Sequence, residues 1–224
     1  TTGRNHVAII CHRHAVSAGI RAAMGCDRAQ MNRKVGKGEA DAVQPPAVAE
    51  TLIDAERVSA LYRAIPIGLF SNIVIAGLTA AVFWALEGSD AALVWYAVMA
   101  VAQGLRLYGY RRFLADSGRA ERTRDWARIA ILGSGATGMI WAAGCILLFP
   151  GNAMPLQMFL VFVCAGMSAG AATSLGPLVP AYVAYSTPFM FSVAGLLAMQ
   201  GTGMYLVMAG MAMAMWVLLI GVAR

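Results

Sequence analysis

The chain has 224 residues, of which 59% are hydrophobic and 12% charged, against roughly 25% charged in an average soluble domain. Residues 129–223 carry no Asp, Glu, Lys, Arg or His, and a soluble domain of that length keeps charges on its surface. The composition excludes a water-soluble fold and describes an integral membrane protein. The net charge of +6 does not point to nucleic acid, because seven Arg lie together between two hydrophobic blocks and read as a topology signal. Cys11, Cys26, Cys145 and Cys164 show no paired spacing, which argues against a disulfide framework.

Residues 1–46 are polar, mixed in charge and without sustained periodicity, the pattern of a disordered leader. The chain begins at Thr1, and Met31 opens a second candidate start, Met-Asn-Arg-Lys-Val-Gly-Lys. Two readings stand: residues 1–30 are a real tail, or they precede the true start. His6, Cys11, His12, His14 and Cys26 fall in this leader. A structural zinc site needs paired ligands at short spacings; none occur here, so no metal is expected. The apolar patch at residues 7–11 is too short for a signal-peptide core. Gln44, Pro45 and Pro46 mark a linker. Residues 47–64 then read as an amphipathic helix at the cytoplasmic interface, with Leu52, Val58 and Leu61 among Asp54, Glu56, Arg57 and Arg63.

A spanning helix needs about 20 mostly apolar residues. Six blocks of that kind follow, at residues 65–86, 91–110, 129–149, 156–175, 181–199 and 203–222. The fold expected over residues 65–224 is therefore an all-α polytopic membrane bundle of about six transmembrane helices. Pro66 is placed in the first turn of the first span, where a missing N–H costs little. Pro188 is expected to kink the fifth, and the fifth and sixth also read as one broken hairpin. Arg106, near the end of the second span, is expected to snorkel to the headgroups beside Tyr108 and Tyr110. Arg106, Arg111, Arg112, Arg119, Arg122, Arg124 and Arg128 fall on one side with Arg57, Arg63 and Arg224, while the other side carries only Glu87 and Asp90. That asymmetry makes both termini cytoplasmic. The bilayer is the expected partner, and anionic lipid would add about 1 kcal/mol for each cation near a charged leaflet.

Gly166 and Gly170 form a small-xxx-small pair in span four, and Gly133 and Gly138 bracket another small-residue run in span three. Small residues four apart let helix backbones approach, so spans three and four are expected to pack together; a contact between subunits is the sharper alternative. Asn72 is hard to hide in a span and is expected to face another helix. With Trp141, Cys145 and Cys164 it makes a candidate ligand pocket, against a default of ordinary packing. No HExxH, Walker loop, Rossmann glycine pattern or nucleophile–base set occurs. No catalytic residue and no cofactor are therefore expected. Apart from Arg106, no ionisable group lies at membrane depth, which weighs against ion-coupled transport.

Several segments together resemble a known class. They are Leu61-Tyr-Arg-Ala-Ile-Pro-Ile-Gly-Leu-Phe-Ser-Asn72, Arg106-Leu-Tyr-Gly-Tyr-Arg-Arg-Phe113, Arg124-Asp-Trp-Ala-Arg128, and Trp141-Ala-Ala-Gly-Cys-Ile-Leu-Leu-Phe-Pro150. Gln157-Met-Phe-Leu and the run from Gly166 to Pro180 complete the set. The pattern resembles the N-terminal multi-pass membrane region of bacterial signalling proteins, which precedes GGDEF diguanylate cyclase, EAL phosphodiesterase or histidine kinase modules. The resemblance implies a sensory or anchoring domain in the bacterial cytoplasmic membrane, working as a homodimer in cyclic-di-GMP signalling. A sensor kinase region is one alternative. No Gly-Gly-Asp/Glu-Glu-Phe, Glu-Ala-Leu or phosphoacceptor His motif is present, so no catalytic residue carries over. The chain would be a truncated or split product, or a stand-alone relative. The rival class is a small transporter or permease subunit, for which residues 176–180 would form an unwound site.

Overall fold

The computed structural model describes residues 46–223 apart from Ala120 and Asn152, with side chains from Asp54 onward. The leader, its two start readings and its Cys/His cluster lie outside the described residues. All regular structure among the described residues is helical: α1 Pro46–Glu87, α2 Asp90–Ala115, α3 Thr123–Leu148, α4 Met154–Leu175, α5 Val179–Met199 and α6 Gly203–Val222. Five helical stretches are long and apolar enough to cross a membrane, the longest being the 46 residues Met154–Met199. That stretch is interrupted by a 3-10 turn at Gly176–Leu178.

Two boundaries differ from expectation. The interfacial helix and the first span are a single helix of 42 residues with Pro66 in its interior. Apolar residues continue through the expected break, and the single missing N–H at Pro66 leaves only the Tyr62 carbonyl without its helical donor. The second helix continues past residue 110 to Ala115, because Arg111 and Arg112 are good helix formers and nothing before Asp116 stops it.

The connections follow local chemistry. Gly88, at φ +64°, ends α1 in the left-handed conformation that glycine adopts at least cost, and its N–H bonds the Trp84 carbonyl at 2.9 Å. Between α2 and α3, Asp116 folds the turn by accepting the Gly118 N–H (2.9 Å) and the Trp126 indole N–H (3.0 Å). These bonds, the Trp126 one foremost, with Arg122 and Arg112 nearby, hold the Asp116 carboxyl below its usual pKa. A depressed folded-state pKa means that this stabilisation is present above the ordinary carboxylate range and is lost as pH falls through the lower folded value.

At Gly176–Leu178 the chain reverses. Ser168 of α4 meets Tyr182 of α5 at 3.1 Å, while Val161 and Cys164 share a cavity wall with Met190 and Val193. That mirrored order is an antiparallel pairing of α4 with α5. Helix α3 packs on α2 and α5. The Trp95 indole of α2 donates to the Ile140 carbonyl at 2.7 Å and lies where a Cβ on Gly144 would fall. A Cβ on Gly138 would run into the backbone carbonyl of Tyr185, so α3 and α5 approach at backbone distance.

The exterior is apolar. Phe162, Met199 and Leu218 are 70% or more exposed, the outward pattern a lipid-facing surface requires.

Candidate functional site

Four helices bring polar side chains to one place. Asn72 of α1 is buried, and its Nδ2 donates to the Gly68 carbonyl at 2.8 Å. Its Oδ1 accepts from the Trp141 indole of α3 at 2.8 Å and from the Tyr185 hydroxyl of α5 at 3.2 Å. One amide thus ties three helices, and both acceptor sites of its oxygen are filled.

Arg106 comes from α2. Its Nη1 donates to Thr137 Oγ1 at 3.2 Å and its Nη2 to Ser134 Oγ at 3.3 Å. Thr137 gives its own proton to the Gly133 carbonyl, which leaves its lone pairs for the guanidinium. Arg106 lies nine residues before the end of α2 at Ala115, about 14 Å along the axis at 1.5 Å per residue. The expectation was a reach to the headgroups beside Tyr108 and Tyr110, whereas the guanidinium here bonds α3. The side chain turns inward onto α3, because Ser134 and Thr137 are one turn apart on the same helix face and present two acceptors. The other arginines of the cluster, Arg111, Arg112, Arg119, Arg122, Arg124 and Arg128, are exposed.

A cavity of about 270 Å³ lies beside this cluster, lined by Ser71, Asn72, Arg106, Gly166, Gly170 and Tyr185 among others. A second, of about 390 Å³, also has Arg106 in its wall, with Tyr62, Tyr110 and Thr137. Among the described residues the ion pairs are Arg57–Asp54 and Arg122–Asp116, so Arg106 faces both cavities without a carboxylate partner.

The glycine expectation needs correction. Gly138 sits against Tyr185 of α5 rather than against α4, and a Cβ on Gly133 would meet the Arg106 side chain at 3.6 Å. A Cβ at Gly166 or Gly170 would meet nothing within 4 Å. These two glycines line an opening and make no helix contact, since small-residue spacing marks where side chains are missing and not what fills the gap.

The expected ligand-pocket residues divide into two groups. Asn72 and Trp141 are bonded to each other beside the Arg106 cavity. Cys145 and Cys164 pair elsewhere, with their buried thiols 3.3 Å apart, and Cys164 faces a separate apolar cavity between α4, α5 and α6. Trp141 also meets Trp95 edge-on, with ring centroids 5.2 Å apart. Sequence reasoning missed Ser134, Thr137 and Tyr185 as partners. The i, i+3 spacing of Ser134 and Thr137, together with a lone cation in a neighbouring span, was the signal that pointed to them.

The site offers a fixed positive charge, oriented hydroxyls and a space beside them. It holds no nucleophile–base pair, and among the described residues no group of His, Cys, Asp and Glu is arranged to hold a metal. No protein-family model, curated protein or solved structure matches the chain.

Proposed function

We propose that the chain is a membrane-embedded sensory domain of a bacterial signal-transduction protein, built of six crossings with both termini cytoplasmic. The observation that carries the reading is Arg106, a lone cation held deep in a helical bundle next to an open cavity. Intramembrane ionisable groups are expensive and mark functional sites by default. The six-crossing reading is supported by the mirrored packing of α4 and α5 about Gly176–Leu178, which divides the 46-residue apolar stretch into two antiparallel helices. The exposed arginines between α2 and α3 support the orientation. The resemblance to membrane regions that precede GGDEF and kinase modules supplies the signalling context, with cyclic-di-GMP as the expected output and a homodimer as the working form.

The mechanism follows from the ties. Occupancy of the cavity changes the contacts of Asn72, Arg106 and Tyr185, and so the packing of α1, α2, α3 and α5. Helix α6 leads from the bundle to the C-terminal side and carries the change onward through α5, to which the Trp216 indole bonds at Ser186 (3.1 Å). The alternative reading is a small transporter or permease subunit, in which the 3-10 turn at Gly176–Leu178 would serve as the helix break.

Grafting the chain ahead of a diguanylate cyclase output module tests this. Cyclic-di-GMP output is expected to differ between the parent fusion and an Arg106→Gln fusion at equal membrane abundance. Equal output from the parent, Arg106→Gln and Asn72→Leu fusions would leave the chain as an anchor and not a sensor.

A further inference from the structure

We infer that the cavity beside Arg106 binds a monoanionic oxyanion on an apolar body, with the guanidinium as its anchor. This names the ligand class of the sensory site proposed above and rests on that reading for its biological meaning. Binding itself is read on the purified chain.

The charge argument comes first. A guanidinium stays protonated at any pH a protein meets, and an isolated charge in an apolar interior is strongly disfavoured unless it is paired. Ser134 and Thr137 supply neutral acceptors for two of its five N–H groups and no negative charge. Within α2 the acidic residues nearest in sequence are at its ends, Asp90 and the C-capping Asp116. Helix α1 has no carboxylate between Glu56 and Glu87, and residues 129–223 have none at all. Among the described residues Arg106 is therefore left without a carboxylate, and a single negative charge on a ligand completes it.

Shape and access then define the rest of the ligand. The remaining guanidinium N–H groups form a planar fork that suits a carboxylate or a phosphodiester. Gly68, Gly166 and Gly170 line the cavity from α1 and α4, and a Cβ on any of the three would meet nothing within 4 Å. The three glycines keep a slot open towards Arg106. Ile67 is also part of the lining, and it is 70% exposed. The cavity therefore reaches the apolar exterior of the bundle, so the ligand arrives from the hydrocarbon side. Ile75, Met167 and Leu175 in the wall accept its apolar part. At about 270 Å³ the space is close to the lower end of the ~300–1,000 Å³ typical of small-molecule sites. Two sources share this chemistry: an amphiphilic carboxylic acid dissolved in the bilayer, and the phosphodiester of an anionic phospholipid.

The test uses the purified full chain in phosphatidylcholine nanodiscs, titrated with decanoate and followed by Tm and tryptophan emission. Trp141 reports on the site through its bond to Asn72. A saturable rise in Tm is expected with decanoate and none with decanol. Arg106→Gln should weaken the apparent affinity at least about tenfold, the loss of one charge-assisted pair. Gly170→Leu, which fills the slot and leaves Arg106 in place, should abolish the response in a folded protein. A rise with phosphatidylglycerol discs but not with decanoate supports the inference and assigns the oxyanion to a lipid headgroup. No response to either anion, or equal responses from the parent and both variants, overturns it whatever the grafted cyclase does. Binding with a silent cyclase would instead sink the sensory reading and leave the site standing.

Discussion

Gly138→Ala is expected to destabilise the protein by about 2 kcal/mol, while Gly166→Ala is neutral or stabilising. The two substitutions are chemically the same, and each should gain up to about 1 kcal/mol from helix propensity alone. They differ in what the new methyl group meets. At Gly166 there is nothing within 4 Å. At Gly138 the methyl group lands on the Tyr185 carbonyl, carbon and Cα, and a backbone cannot rotate away as a side chain can. Helix α3 must then move off α5, an overpacking cost of typically 1–3 kcal/mol, with the upper part of that range applying because the clash is with main chain. The propensity gain offsets only part of it. Thermal unfolding of the two variants in the same detergent reads the difference. Equal Tm values would contradict the α3–α5 approach on which the placement of Tyr185 depends.

The second large effect is expected at Asn72. Asn72→Leu keeps most of the volume but strands the Trp141 indole N–H and the Tyr185 hydroxyl, both at least 98% buried. Unsatisfied buried donors cost about 1–3 kcal/mol each in soluble proteins. Hydrogen bonds between membrane helices average about 0.6 kcal/mol and reach about 1.7. With two donors stranded at once, a loss of roughly 2 kcal/mol is expected. Tyr185→Phe removes one of those donors, so the double variant should lose less than the sum of the single ones. A double-mutant cycle on Tm and denaturation midpoint measures that coupling. Strict additivity would mean that the Asn72–Tyr185 bond contributes nothing.

The helical class and the positions of the apolar blocks were legible in the sequence because both follow from composition and length, which need no knowledge of neighbours. The burial of Asn72 was similarly legible, since an amide has few places to go in an apolar stretch. Partners were harder. The glycines at 166 and 170 and the glycine at 138 look alike in sequence, yet one pair lines an opening and the other residue takes a backbone contact. Only the positions of α1 and α5 distinguish them. The partners of Arg106 were not legible either, because its bonds to Ser134 and Thr137 depend on how α2 packs against α3. The contact of Cys145 with Cys164 depends on how α3 and α4 each pack on α5 and had no signature in spacing.

The central claim is that the α4–α5 reversal makes a sixth crossing and puts the C-terminus on the side of the arginine-rich turn. Reporter fusions after Gly118, after Gly151 and after Arg224 test it directly, each read by a fluorescent protein active only in the cytoplasm and by a phosphatase active only outside it. The account predicts cytoplasmic signals at Gly118 and Arg224 and an external signal at Gly151. A phosphatase signal after Arg224, with Gly118 still cytoplasmic, would make Met154–Met199 a single crossing and contradict it.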